Sequence, residues 1–148
     1  MAVPIGGMEL PLLGELTRQQ LKDTILNALI DEAGAVDFYG RLEKQAPDAL
    51  HREFIGHAYE DEVKHIAFFE RLYFQLFGRG PRYGFEPVEY DDYRDGILKA
   101  LKGELAAAEF YRDIQLSVND QLTRDTFYLA MTDELEHAAR FSVLYGTL

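Results

Sequence analysis

Two short stretches of this sequence carry the same chemistry: Asp61-Glu62-Val63-Lys64-His65 and Asp133-Glu134-Leu135-Glu136-His137. Each contains Glu-x-x-His. On a helix, residues three apart share a face, so each stretch aims a carboxylate and an imidazole at one spot. Thirty residues before each stands another glutamate, Glu32 before Glu62 and Glu104 before Glu134. Four helices could bring these four carboxylates and two imidazoles together, which is a ligand set for two metal ions in a bundle core. Converging buried glutamates repel one another, and an unpaired buried carboxylate is costly. Two divalent cations cancel four negative charges and use both neutral imidazoles. Carboxylates mixed with imidazoles suit iron, manganese or zinc.

The elements that must position these groups are helical throughout, and no strand pattern is evident. The first helix opens at Thr17, where Thr17 and Gln20 form a capping box and Leu16 and Leu21 a hydrophobic staple. Its apolar stripe runs Leu21, Ile25, Ala28, Glu32, Ala35, Tyr39 and Leu42, in steps of four and three. Pro47-Asp48 ends this helix and caps a second, over about 48–77, which Gly78 stops. The stripe of the second is Phe54, Ala58, Glu62, His65, Phe69, Leu72 and Leu76. A third helix over about 92–118 carries Ile97, Leu101, Glu104, Ala108, Tyr111 and Ile114. Asn119-Asp120 then turns into a fourth that runs to about Tyr145, with Phe127, Ala130, Glu134, His137, Phe141 and Leu144 inward and Gly146 closing it. In every helix the chemistry-bearing residues fall within the apolar stripe.

Residues 29–73 laid over 101–145, without a gap, match at sixteen of 45 positions, where ordinary composition gives roughly three. Shared apolar periodicity accounts for matched leucines and alanines. It does not account for glutamate, aspartate, histidine and tyrosine matching in register. The chain is therefore a helical hairpin used twice. Glu32 lies 15 residues before Pro47 and Glu62 lies 15 after it, so at ~1.5 Å per residue both sit ~22 Å from the turn. The second hairpin repeats this about Asn119, and a pseudo-twofold axis would relate the two. Residues 78–91 are rich in Gly and Pro. Extended, such a link reaches ~46–50 Å, enough to cross a helix about 43 Å long. The expected architecture is all-α: two hairpins joined by one long crossover, with the second and third helices parallel.

Asp61 and Asp133 precede the motif glutamates. Metal-bound histidines commonly donate their second ring N–H to a carboxylate, which suggests contacts across the bundle, Asp61 to His137 and Asp133 to His65. Tyr39 and Tyr111 return to the ligand face two turns after Glu32 and Glu104. They are the candidate catalytic residues, bonding the carboxylates or relaying electrons, with core packing as the alternative. His51 and His57 have no counterpart in the repeat and read as surface or packing residues. Glu60, Glu109 and Glu136 fall off the stripes and should face solvent.

The length, 148 residues, suits one domain, and the net charge of −11 argues against nucleic acid or an anionic membrane as partner. With no cysteine, disulfides, thiolate metal sites and iron–sulfur centres are excluded. No apolar run spans a bilayer, and residues 1–15 lack the marks of a signal peptide. A cytoplasmic protein is expected, with residues 1–16 an irregular arm.

Glu-x-x-Ala-x-x-x-Tyr followed by Asp-Glu-x-x-His, twice over, resembles the ferritin-like di-metal carboxylate proteins, rubrerythrins in particular. The resemblance rests on Glu32, Ala35 and Tyr39 with Asp61, Glu62 and His65, and on their partners 72 residues later. It implies a ferritin-like four-helix bundle over 17–148. Glu32 and His65 would hold one metal and Glu104 and His137 the other, with Glu62 and Glu134 bridging. The cofactor implied is two iron ions per chain, with manganese or zinc as alternatives. Ala107 stands where rubrerythrins carry a further glutamate, and a chain without cysteine cannot contain a rubredoxin domain. Val63 stands where bacterioferritins carry the haem-binding methionine, so no haem is expected. The function implied is a non-haem di-iron oxidoreductase that reduces peroxide or dioxygen with electrons from an external donor, in a homodimer. The alternatives are a ferroxidase or iron-handling protein, and a non-catalytic bundle stabilised by metal.

Overall fold

The computed structural model describes residues 4–5, 8–9 and 14–148. Much of the expected N-terminal arm lies outside the described residues. Within it, strand β1 (Pro4–Ile5) pairs antiparallel with β2 (Met8–Glu9), which corrects the expectation of no strand.

Four helices carry the fold: α1 (Arg18–Glu43), α2 (Ala49–Phe77), α3 (Tyr93–Gln115) and α4 (Gln121–Gly146). Their starts follow from side-chain chemistry. Thr17 and Gln20 form the complete capping box of α1, and Asp48, Asp92 and Asp120 each accept a backbone N–H from the first turn of the next three. Gly78, with φ of 76°, ends α2, a conformation that favours glycine. Two ends differ from expectation. α3 stops at Gln115, before 118, and the Arg124 guanidinium takes the carbonyls of Gln115 and Val118. Gly146 does not close α4 but stays helical, and Thr147 caps the end with its hydroxyl on the Leu144 carbonyl.

α1 packs along α2 and α3 along α4, as two antiparallel hairpins that meet chiefly through α2 and α4. His51, in the first turn of α2, bonds the Tyr93 hydroxyl at the first residue of α3, at 2.7 Å. α2 and α3 therefore start at the same end and run parallel. The link between them travels the length of the bundle. It is pinned near its start by Tyr83 to Glu70, and towards its end by Arg41 to the Val88 carbonyl and Tyr90 to Gln45. This is the expected long crossover.

Two apolar clusters fill the two ends. Ile25, Leu29, Phe69, Leu72 and Phe127 are in one, and Leu42, Ile55, Ile97, Phe141 and Leu144 in the other. Leu21, Ala35, Phe54, Leu76 and Leu101 of the predicted stripes are only half-buried, while Leu29, Phe38, Ile55, Tyr73 and Ala100 are buried instead. A buried helix face is a band ≳ about 100° wide, so neighbours one position off a single line share it. Among the described residues, no helix is long and apolar enough to cross a membrane.

Candidate metal centre

Between the two apolar clusters lies a layer of ionisable side chains. Glu32 comes from α1, Glu62 and His65 from α2, Glu104 from α3, and Glu134 and His137 from α4. All six are at most 3% exposed. The His65 Nδ1 lies 3.5 Å from Glu32, 3.4 Å from Glu62 and 3.3 Å from Glu134. The His137 Nδ1 lies 3.0 Å from Glu62, 3.5 Å from Glu104 and 3.5 Å from Glu134. Two overlapping groups result, Glu32-Glu62-His65-Glu134 and Glu62-Glu104-Glu134-His137, and each could hold a metal ion. The motif glutamates Glu62 and Glu134 belong to both.

None of these approaches is aligned as a hydrogen bond. Both Glu62 oxygens, one oxygen each of Glu32, Glu104 and Glu134, and both histidine Nδ1 atoms are buried with no hydrogen-bond partner among the described residues. Native cores satisfy nearly all such atoms, and seven orphans aimed into one layer match the donor set of two cations. The outward sides of the same groups are satisfied. The His65 Nε2 meets Asp133 at 2.8 Å and the His137 Nε2 meets Asp61 at 2.8 Å, the cross-bundle pairing expected from the repeat. Tyr39 donates to Glu104 and Tyr111 to Glu32. Each support therefore comes from the opposite hairpin, and each histidine presents Nδ1 inward.

Charge in this layer is strongly perturbed. Burial opposes protonation of the imidazoles, but the facing carboxylates win. Glu134 and Glu62 carry His65 up to about 11, and Glu104 and Glu62 carry His137 up to about 10. Burial, then the charges of Glu62 and Glu104, pushes Glu134 well above the usual carboxylate range. Burial and Glu62 also raise Glu104. Burial works against ionised Glu62, yet the two histidines hold it below its usual value. Burial foremost raises Tyr39 and Tyr111 well above the ordinary phenol, so both remain donors at neutral pH.

His51 is buried packing, bonded to Tyr93 and to Thr147. Glu60, Glu109 and Glu136 are exposed, as expected. His57 is more than a surface residue. Its Nε2 lies 3.1 Å from Asp61 and 3.1 Å from Glu136, extending the His137–Asp61 pair towards solvent. The signal was in the sequence, since His57 and Asp61 are four apart on one helix face. Its repeat partner is Leu129, so only one half has this extension.

Above the layer, α1 and α3 stand apart. A cavity of ≈ 910 Å³ opens between them, partly roofed by the crossover at Phe85 and Val88. Glu32, Glu62, Glu104 and Glu134, with Tyr39 and Tyr111, face it from below.

No protein-family model matches the chain. Solved structures of similar shape include a hypothetical protein from Pyrococcus furiosus, 27% identical with a TM-score of 0.74, covering 85% of this chain and 88% of that one. A dodecameric thioferritin, the bacterioferritin-related protein of Bacteroides fragilis, is 19% identical with a TM-score of 0.77, covering 90% of this chain and 88% of that one. A two-domain protein from Anabaena variabilis, with DJ-1/ThiJ/PfpI-like and ferritin-like domains, is 16% identical with a TM-score of 0.71. The match covers 90% of this chain but only 38% of that longer one. Helix order, the long crossover and these likenesses together make the chain an all-α, ferritin-like four-helix bundle.

Proposed function

We propose that the chain is a non-haem di-iron oxidoreductase, rubrerythrin-like in its ligand set, that reduces peroxide or dioxygen with electrons from an external donor. The observation that carries this reading is the pair of overlapping Glu/His groups whose inward atoms have no partner. Glu32 and His65 would hold one ion, Glu104 and His137 the other, and Glu62 and Glu134 would lie between them. When bound, two ferrous ions would supply the two electrons that peroxide reduction consumes. The residues around them set position and protonation. Asp133 and Asp61 fix the ring orientation of His65 and His137 and leave Nδ1 free to face inward. Tyr39 and Tyr111 each hold a proton on the opposite hairpin's glutamate, which fixes one carboxylate oxygen and leaves the other turned into the layer. The apolar clusters at the two ends of the bundle exclude water from those flanks.

The test is to load metal-free protein anaerobically with ferrous iron and mix portions with hydrogen peroxide or dioxygen while recording absorbance. Fast oxidation of two irons per chain, faster with peroxide and then stopping, is the expected result. Failure to bind two irons per chain would overturn the reading. A second reading, ferroxidase or iron handling, is favoured by the likeness in shape to the bacterioferritin-related thioferritin. It calls for dioxygen-driven oxidation that continues as iron is added. That neighbour is dodecameric, and we propose a homodimer for this chain, to be checked by light scattering.

The aspartates give a separate expectation. Asp133→Asn and Asp61→Asn should each weaken one ion position by about 10- to 100-fold, read by competition against a chromophoric chelator. Asparagine keeps the shape but removes the charge that orients the imidazole. Unchanged affinity in both variants would remove these aspartates from the site.

A further inference from the structure

The cavity between α1 and α3 is out of scale with hydrogen peroxide. At ≈ 910 Å³ it lies within the range of sites for whole organic molecules, about 300–1,000 Å³, whereas water occupies only about 30 Å³ in the liquid. Its size has a local cause. Gly34 and Ala35 on α1 face Gly103 and Ala107 on α3 across it, and a Cβ added at either glycine would meet nothing within 4 Å. Phe38, Phe85, Val88 and Phe110 supply the larger walls, all apolar. Polar groups gather at the floor, where the glutamates and tyrosines sit, and at the mouth. The mouth is not cationic. Lys99, the one lysine or arginine lining the cavity among the described residues, is occupied by Asp95 at 3.1 Å and the Glu89 carbonyl at 2.9 Å. Asp31 and Glu86 also line the cavity.

We infer that this cavity seats the apolar group of a neutral organic hydroperoxide, with its O–O group at the carboxylate floor. The inference rests on the function proposed above and names its substrate class. Apolar walls without a free cation favour an uncharged alkyl or aryl group over a fatty-acid anion. The O–O bond breaks, two ferrous ions loaded into the chain each lose one electron, two protons are taken from solvent, and the products are the alcohol and water.

The test uses the full chain with Gly34→Leu and Gly103→Leu combined. Both changes fill the cavity, and both replace glycine in a helix by a better helix former, so folding is retained. With ferrous-loaded protein under anaerobic single turnover, the parent should be oxidised by hydrogen peroxide and by cumene hydroperoxide, and more slowly by linoleate hydroperoxide. The filled variant should keep its rate with hydrogen peroxide within about twofold and lose about tenfold or more with cumene hydroperoxide. Binding of 2-phenyl-2-propanol, the alcohol product, to zinc-loaded protein by saturation-transfer NMR should be seen in the parent and vanish in the variant. Oxidation by hydrogen peroxide alone, with no alcohol bound, would overturn this inference and leave the proposed function standing. Undiminished reaction of the variant with cumene hydroperoxide would also overturn it. If neither peroxide oxidises the iron, the function proposed above fails and this inference fails with it.

Discussion

Glu62→Leu should abolish binding of both ferrous ions, whereas Glu32→Leu should abolish only one. Glu62 belongs to both ligand groups. One of its oxygens lies 3.0 Å from the His137 Nδ1 and the other 3.4 Å from the His65 Nδ1, and neither has another partner among the described residues. Glu32 belongs to one group only. Anaerobic titration with ferrous iron should therefore fall from two ions per chain to none at micromolar concentration for Glu62→Leu, and to one for Glu32→Leu. Leucine fills similar space, but in the metal-free chain Glu62 is the carboxylate that faces both protonated histidines, and removing one partner of a buried ion pair destabilises by about 3–5 kcal/mol. The metal-free variant should accordingly melt lower than the metal-free parent, and helical circular dichroism at the titration temperature separates a lost site from a lost fold. A Glu62→Leu chain that still takes up two ions with parental affinity would end the case for a shared carboxylate.

Uptake of two divalent ions at pH 7 should release at least two protons per chain. Without metal, His65 and His137 are held protonated by the facing glutamates, with pKa values up at about 11 and about 10, and burial pushes the Glu134 carboxyl well above its usual range. A ligating nitrogen must be neutral, so each ion displaces the Nδ1 proton of its histidine. The apparent affinity for the pair should rise about 100-fold per pH unit near neutrality, ten for each proton. Calorimetry with zinc in buffers of different ionisation heat would count the protons, and a pH-independent affinity would refute the charge state described. The same shifts bear on metal-free stability. Both histidines bind protons more tightly folded than unfolded, from an ordinary 6.5. Their stabilisation is therefore complete below pH 6.5 and is lost as pH rises through about 10 to 11. Glu134 and Glu104, also raised, act in the same direction from lower pH. The metal-free melting temperature should fall between pH 7 and pH 10.

The buried convergence of Glu32, Glu62, His65, Glu104, Glu134 and His137 was legible in the sequence because they are polar residues at apolar stripe positions, and a stripe position says where a side chain goes whatever its type. The crossing of Asp61 to His137 and Asp133 to His65 was legible because the repeat implies a twofold relation. The carboxylate each tyrosine meets was not. Tyr39 could have met Glu32 on its own helix, and its bond to Glu104 depends on how far the hairpins are rotated against each other. The cavity was illegible for a similar reason. Gly34 and Gly103 look like ordinary helix weakeners until α1 and α3 are seen to stand apart. His57 has Leu129 as its partner position, so the internal symmetry that marks the other groups does not mark it.

Every support for the layer crosses from one hairpin to the other, so neither hairpin alone holds a complete set. Two separate hairpins would have to meet in solution, at micromolar concentrations, before any such layer formed. The crossover of residues 78–92 makes that meeting intramolecular. A covalent link of this length holds the two hairpins at an effective concentration on the order of millimolar. One polypeptide thus completes the layer at any dilution, and its assembly does not depend on how much of the protein is present.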